Sequence, residues 1–238
     1  MTTTTNKKKY ELTSTQNRKG LYQIKALRDI PRYGVKKGDL GGWLEGEKNL
    51  SHDGDAWVFG NVGVYGDAEV FGDARVYGSA RVFGNAGVYG SARVYGSARV
   101  YGNARVYGNV GVYGDAEVSG NAGVYESARV SGNAEVSGDA EVSGGARVYG
   151  SARVTEGEWD KSPLYVQGTR HAITHSGPGE ITIGCITLSL GKWLETYAEV
   201  GKRHGYSKEE IEEYGRLLGY VAQEIKRSGD RRHGEPRD

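Results

Sequence analysis

A single cysteine, Cys185, stands in a chain of 238 residues, which excludes an internal disulfide framework and a cysteine-rich zinc module. Val, Ile, Leu and Phe together number 46, few enough to suggest disorder if net charge were high. Net charge is only +1, from 31 Lys and Arg against 30 Asp and Glu, and that weakens the disordered reading. The same balance argues against a protein that coats nucleic acid or membrane with its whole surface, so an electrostatic partner must meet a local patch. No apolar run approaches the roughly 18 residues needed to cross a bilayer, and the start, MTTTTNKKKYELTST, lacks the apolar core of a signal peptide. The expectation is a soluble, cytoplasmic protein of one or two domains that does not engage a membrane. What the chain has in excess is glycine, at 39 residues, and the glycines are regularly spaced.

From Val58 the chain reads VFGNVG VYGDAE VFGDAR VYGSAR VFGNAG without a break to Arg153. Valine returns every sixth residue from Val58 to Val154, and the fifth place holds Ala or, at Val62 and Val110, valine. A looser version starts earlier, with Leu40 and Leu44 in first and fifth places and Leu50 in a fifth place. Six is a multiple of the strand period of two and not of the helix period of 3.6, so alternation survives from repeat to repeat. First, third and fifth places (Val, Gly, Ala) then point one way, with Val and Ala inside, and second, fourth and sixth places (Tyr, Asn/Asp/Ser, Arg/Glu) point the other. The recurring GN, GD and GS dipeptides are turn chemistry, giving a strand ARVY and a corner GN. Three strands and three corners close a triangular coil of eighteen residues, stacked on the next at about 4.8 Å.

This six-residue repeat, with an aliphatic first place and a small fifth place over residues 40 to 153, resembles the hexapeptide-repeat superfamily of left-handed parallel β-helices. The phrase VKKGDLGGWLEGEKNLSHDGDAWV (35 to 58), followed by YGNAR-type hexads, resembles proteins common in phage and prophage genomes that are often described as polymer-forming or cytoskeletal-like. Glycine sits third here, where acyltransferases of this fold usually carry it second. The resemblance implies a mainly β fold, a left-handed parallel β-helix of about six coils, and homotrimers as a common assembly.

Folding the sequence on the eighteen-residue period places outward residues in ladders. One face stacks Trp57/Phe59, Arg75/Tyr77, Arg93/Tyr95, Gly111/Tyr113, Arg129/Ser131 and Arg147/Tyr149, and is basic and aromatic. The second runs from Gly63/Tyr65, Arg81/Phe83 and Arg99/Tyr101 to Glu117/Ser119 and Glu135/Ser137, basic at one end and acidic at the other. The third is mixed, and one corner stacks Asn85, Asn103 and Asn121. Such ladders stabilise through stacking and shared hydrogen bonds, at roughly 0.2 to 1 kcal/mol per pair. Alternatively the Arg/Tyr face (Arg75, Tyr77, Arg93, Tyr95, Tyr113, Arg129, Arg147, Tyr149) is a binding surface, because stacked arginines repel unless an anionic partner meets them. Residues 58 to 153 hold eight Arg, no Lys and nine acids, so a protein partner fits better than nucleic acid or a free anion. Glu126 replaces a corner glycine in VYESAR, as a bulge, a solvated corner or a binding carboxylate.

The flanks read as caps. Residues 1–39 divide into a disordered leader, MTTTTNKKK, and an N-terminal cap with a strand in LYQIKALRDI (21–30). The coils occupy 40–155, and a linker with capping strands LYVQG, RHAITHSG and GEITIGCITL occupies 156–188. An αα-hairpin over 189–228 starts at Ser189, with a second helix opened by a capping box of Ser207 and Glu210. Residues 229–238 form a disordered tail.

No catalytic constellation is evident. Acyltransferases of this fold generally use a histidine base, and hexads 58 to 153 contain none. His52 lies in an inward place of a degenerate hexad and reads as packed. His171 and His175, four apart on a strand, are about 13 Å apart, too far to share one ion, and Cys185 reads as a small buried residue. No metal or cofactor is expected: no Walker motif, dinucleotide fingerprint or nucleophile elbow appears. The favoured reading is a non-catalytic binding or scaffold protein with a macromolecular partner, which the phage-like resemblance extends to a host factor that is sequestered or inhibited. Acyl-CoA-dependent transfer at a trimer interface and a self-assembling structural protein are the alternatives.

Overall fold

The computed structural model describes residues 8–227; residues 1–7 and 228–238, where the leader and tail were read as disordered, lie outside the described residues. The hexads form a three-sided left-handed parallel β-helix. Its faces are two six-stranded sheets and one nine-stranded sheet, in which three cap strands precede six strands of the coils. The eighteen-residue register holds throughout the regular hexads: Val76 pairs with Val94, Val94 with Val112, Val112 with Val130. Every first-place valine from Val58 to Val154 is buried, as is every fifth-place Ala or Val, so the core is one continuous valine and alanine column.

Each strand is shorter than ARVY. Only the sixth and first places, as in Arg75–Val76, keep strand geometry. The inter-coil hydrogen bonds nevertheless run on through the corners: the Tyr77 N–H donates to Val94 O at 3.0 Å, Ser79 to Gly96 at 2.8 Å and Arg81 to Ala98 at 3.0 Å. The backbone of each coil is thus satisfied by the next one. Third-place glycine does not point inward with Val and Ala; it sits in the corner at positive φ, directly over the glycine of the next coil. At Gly96, φ is +73° and an added Cβ would lie 2.8 Å from Gly114 O.

At the N-terminal end, strands Tyr10–Gln16, Tyr22–Ala26 and Leu40–Leu44 extend the nine-stranded sheet, the first pairs antiparallel and the last joining the coils in parallel through Trp43↔Gly63 and Leu44↔Val64. This corrects the places assigned to the leucines. Leu44 aligns with Val64 and Leu50 with Val70, so both hold first places, and Leu40 is 58% exposed. Leu50 lies eight residues before Val58 where six would keep the period, so two extra residues are accommodated between them. Lys8 and Lys9, assigned to the leader, are ordered: Lys8 pairs with Glu47 at 2.7 Å, and Lys9 is buried with its Nζ donating to Ala56 O at 2.8 Å.

At the other end the third sheet, which begins at Glu69–Val70 and takes in Glu141–Val142, continues past the expected linker boundary to Glu158–Trp159, with buried Trp159 opposite Val142. The capping segment forms a four-stranded antiparallel sheet, Tyr165–Gln167, Ala172–Gly177, Glu180–Ile183 and Ile186–Ser189, tied to the coils by the Thr155 N–H on Ser176 O at 2.8 Å. The apolar run ITIGCITL breaks into a hairpin at Gly184 and Cys185, which leaves Cys185 exposed and not buried as its neighbours suggested. Helices α1 (Leu190–Arg203) and α2 (Lys208–Arg227) pack on this sheet around Ile173, Ile181, Trp193, Tyr214 and Leu218. Ser189 Oγ accepts from Lys192 N–H, and Ser207 and Glu210 exchange the two bonds of a capping box at 3.2 and 2.7 Å. Among the described residues no helix is long and apolar enough to cross a membrane.

Candidate functional site

The sheet built from Trp57–Val58, Arg75–Val76, Arg93–Val94, Gly111–Val112, Arg129–Val130 and Arg147–Val148 carries Arg75, Arg93, Arg129 and Arg147 in one column and no acid among them. Beside that column runs a ring ladder, with Tyr77 and Tyr95 stacked at 4.8 Å between centroids and Tyr95 and Tyr113 at 4.9 Å. Such parallel stacks follow from the register, since the same place recurs at every coil step. Burial in the stack raises the Tyr95 phenol above its ordinary pKa, with Tyr77 and Tyr113 adding to the effect.

The upper end of the face is covered by the N-terminal cap. The Arg75 guanidinium lies over the Tyr33 ring at 4.8 Å, Tyr33 hydrogen-bonds to Asp73 O, and Arg32 pairs with Asp73. Below it, Arg93, Arg129 and Arg147 are exposed, and no salt bridge forms to any of them among the described residues. The neighbouring nine-stranded sheet behaves differently: Arg99 pairs with Glu117 at 2.9 Å and Arg153 with Glu135 at 3.4 Å.

Two hollows open on the basic face. One lies over Gly111, where the missing side chain leaves a notch between Arg93 and Arg129, with Tyr95, Asn109 and Ser127 around it. The other lies over Ser131, is about 350 Å³ in volume, and is lined by Tyr113, Arg129, Ser131, Arg147 and Tyr149. All eight residues of the candidate face therefore lie on one side of the solenoid, the arginines in its sheet and the tyrosines just past the strands, but Arg75 and Tyr77 belong to its capped end and the other six to the open part. Tyr149 is 47% exposed and tilts against Tyr165 at 5.3 Å.

Glu126 lies at the corner beside this face. It is the non-glycine residue of positive φ (59°) among those described, and its carboxylate accepts the Gly144 N–H at 2.7 Å. The corner asparagines form the expected ladder, Asn85 to Asn103 to Asn121, and it continues to Asp139.

His52 lies under the N-terminal cap. Its Nδ1 accepts the Lys9 N–H at 3.2 Å, its ring stacks on Tyr10 at 4.4 Å, and its buried Nε2 has no hydrogen-bond partner, with Glu47 Oε2 3.8 Å away. Burial lowers its pKa, partly offset by Glu47.

The C-terminal module holds a cleft of about 120 Å³ that sequence reasoning did not find, lined by His171, Cys185, Trp193, Tyr197, His204 and Tyr206 among others. Its rim is fixed by Arg170, which pairs with Glu210 at 3.2 Å, donates to the carbonyls of His204 and Gly205, and lies 4.5 Å over the Tyr206 ring. Burial, with Tyr214 adjacent, pushes the Tyr206 phenol up to about 12. His175 is turned away against Trp159 at 5.0 Å, and no cluster of three His, Cys, Asp or Glu among the described residues is arranged to hold a metal ion. The helix capping signals placed α1 and α2 in the sequence, but the cleft depends on the Gly184–Cys185 turn meeting both helices, a contact without sequence periodicity.

A family model described as the YdcK beta solenoid repeat matches residues 98–114, about one coil in the middle of the β-helix. No curated protein matches the chain.

Proposed function

We propose that the protein is a non-catalytic binding module that engages a protein partner through the open part of the Arg/Tyr face. In keeping with the resemblance to phage and prophage proteins, the partner is a bacterial host protein that it sequesters. The observation that carries this reading is the column Arg93, Arg129 and Arg147, exposed, with Gly111 between the first two and Arg129 directly opposite Arg147, and without a carboxylate in the same column. Like charges directly opposite on adjacent strands destabilise a sheet; the neighbouring face has such pairs too, Arg81 with Arg99 and Glu117 with Glu135, but there Arg99 also meets Glu117, and on the basic face no carboxylate relieves Arg129 and Arg147. Arginine with tyrosine is also the composition of interface hot spots, and the solenoid presents both on an ordered backbone, so that binding orders side chains and not the chain.

The test is affinity capture from native bacterial lysate, read by mass spectrometry, comparing the wild type with a variant combining Arg93→Ala, Arg129→Ala and Arg147→Ala. A partner enriched by the wild type and lost in the variant is the expected outcome. Equal enrichment by both proteins would move the binding surface off this face.

A further inference from the structure

The three ring ladders end differently. On the nine-stranded sheet the last ring is Tyr101, and its hydroxyl donates to Glu117 of the next coil at 3.0 Å. On the third sheet the last ring of the ladder is Tyr125, and its hydroxyl donates to Glu141 of the next coil at 3.0 Å. On the basic face the ladder stops at Tyr113, and the residue in the position of Glu117 and Glu141 is Arg129. Here alone among the three, a tyrosine returns two coils later: Tyr113, then Ser131, then Tyr149. The stack of Tyr77, Tyr95 and Tyr113 therefore faces an empty place at Ser131, beyond which Tyr149 leans on Tyr165.

Two coil steps separate Tyr113 from Tyr149, about 9.6 Å. A planar ring placed midway repeats the spacing of 4.8 to 4.9 Å seen between Tyr77, Tyr95 and Tyr113. The hollow of about 350 Å³ over Ser131 is that vacant position, and Arg129 and Arg147 stand at its side. Arg129 and Ser131 are two residues apart along the chain, so their backbones are about 7 Å apart. Side chains i and i+2 of an extended peptide have the same separation.

We propose that this slot takes an aromatic side chain of an extended acidic segment of the protein partner, with a carboxylate two residues away bound by Arg129 and Arg147. The inference rests on the binding reading above and specifies its recognition element. Aromatic rings favour offset stacking against tyrosine, and arginine offers carboxylate a planar fork. A polyphosphate chain carries a charge at every repeat and so meets Glu117, Glu135 or Glu141 wherever it leaves the slot, whereas a peptide needs a carboxylate only beside Arg129 and Arg147.

The experiment uses the full chain and a fluorophore-labelled peptide, acetyl-Glu-Gly-Tyr-Gly-Glu-amide, read by anisotropy. Comparison peptides replace Tyr by Leu or both Glu by Gln, and an oligo-dT strand serves as the nucleic-acid arm. Ser131→Tyr fills the slot with the residue that other coils carry at this place, so the variant is compatible with the fold. The expected result is binding by the wild type that weakens at least tenfold in Ser131→Tyr, in Arg129→Gln and with the Leu peptide. Equal binding by wild type and Ser131→Tyr, no binding of the peptide by the wild type, or tighter binding of oligo-dT than of the peptide would overturn the slot. Should Ser131→Tyr fail to fold, the Tyr and Leu peptides compared on the wild type decide the matter. A lysate partner retained by Ser131→Tyr but lost from the triple variant would leave the face reading standing and remove the slot alone.

Discussion

Tyr101 and Glu117 form a hydroxyl-to-carboxylate bond of 3.0 Å between successive coils, and the equivalent pair on the basic face is Tyr113 and Arg129. The backbone is the same in both places, so the exchange of Glu for Arg is a change of chemistry on a constant scaffold. Arg129→Glu would restore on this face the closure seen at Glu117. Because the substitution also removes the like-charge pair of Arg129 with Arg147, the midpoint of thermal unfolding is expected to hold or rise slightly, by the equivalent of about 0.5 kcal/mol. Partner capture is expected to fall at least tenfold, because the column then presents a carboxylate between Arg93 and Arg147. Unchanged capture would show that the arginine column does not contact the partner.

The corner glycines carry the geometry that allows coils to approach. At Gly96 an alanine would have to adopt φ near +73° with its Cβ 2.8 Å from Gly114 O and 2.9 Å from Gly114 N. The left-handed conformation alone costs about 1 to 2 kcal/mol for a residue with a side chain, and the contact adds to it. Gly145 offers the control: it occupies a fourth place, a Cβ there meets nothing within 4 Å, and its φ is not positive. Gly96→Ala is expected to lower stability by about 2 kcal/mol or more, and Gly145→Ala to be neutral or stabilising by about 0.5 kcal/mol. Urea denaturation of the two variants measures both.

Trp159 closes the lower end of the core. It is 3% exposed, pairs with Val142, donates its indole N–H to Glu156 O at 2.8 Å and meets the edge of His175. Trp159→Ala is expected to cost about 3 to 5 kcal/mol, with hydrogen exchange accelerating first in the last coil, around Val142 and Val148. Uniform acceleration along the solenoid would mean that the coils unfold as a single unit without fraying from this end.

Much of this architecture was legible because the signal repeats. Valine at every sixth position defines strand direction, face and register at once, and the pairing of Arg75 with Arg93 follows from eighteen being three times six. Legibility failed where the period slipped. Leu44 and Leu50 were placed two positions out of step because the additional residues before Val58 are polar and carry no apolar marker. Trp159 was assigned to a linker because it follows Val142 by seventeen residues and replaces valine with an aromatic. The apolar neighbours of Cys185 point to burial, but a turn needs residues that leave the sheet, and Gly184 at φ 60° makes one there. The gap at Ser131 was visible as a change from Tyr to Ser, yet its meaning depends on where the Tyr101 and Tyr125 hydroxyls point, which only side-chain geometry shows.

Lys9 gives the N-terminal cap a pH dependence of defined sign. Its ammonium is enclosed beneath the cap with one hydrogen bond, to Ala56 O, and burial, with Arg28 adding repulsion, pushes its pKa down to about 8 against attraction from Asp55, Asp53 and Asp73. In the unfolded chain the group titrates near 10.5. Below pH 8 both states hold the proton, and the folded state carries the cost of a buried charge, on the order of 3 kcal/mol at most. Between pH 8 and about 10.5 the unfolded chain keeps a proton that the folded chain has released, so stability rises with pH across that window. Tyr10 opposes this above pH 10, because burial and Glu47 raise its pKa and the unfolded chain loses that proton first. Wild-type denaturation midpoints are therefore expected to climb from pH 7.5 to about 9.5 and then turn down. Lys9→Met keeps the apolar stem, removes the titration and leaves Ala56 O without this donor. Its midpoint is expected to be nearly flat from pH 7.5 to 9.5 and to exceed the wild type at the lower end of that range. A wild type as flat as the variant would mean that Lys9 keeps an ordinary pKa in the folded protein, through a cap that opens and admits water.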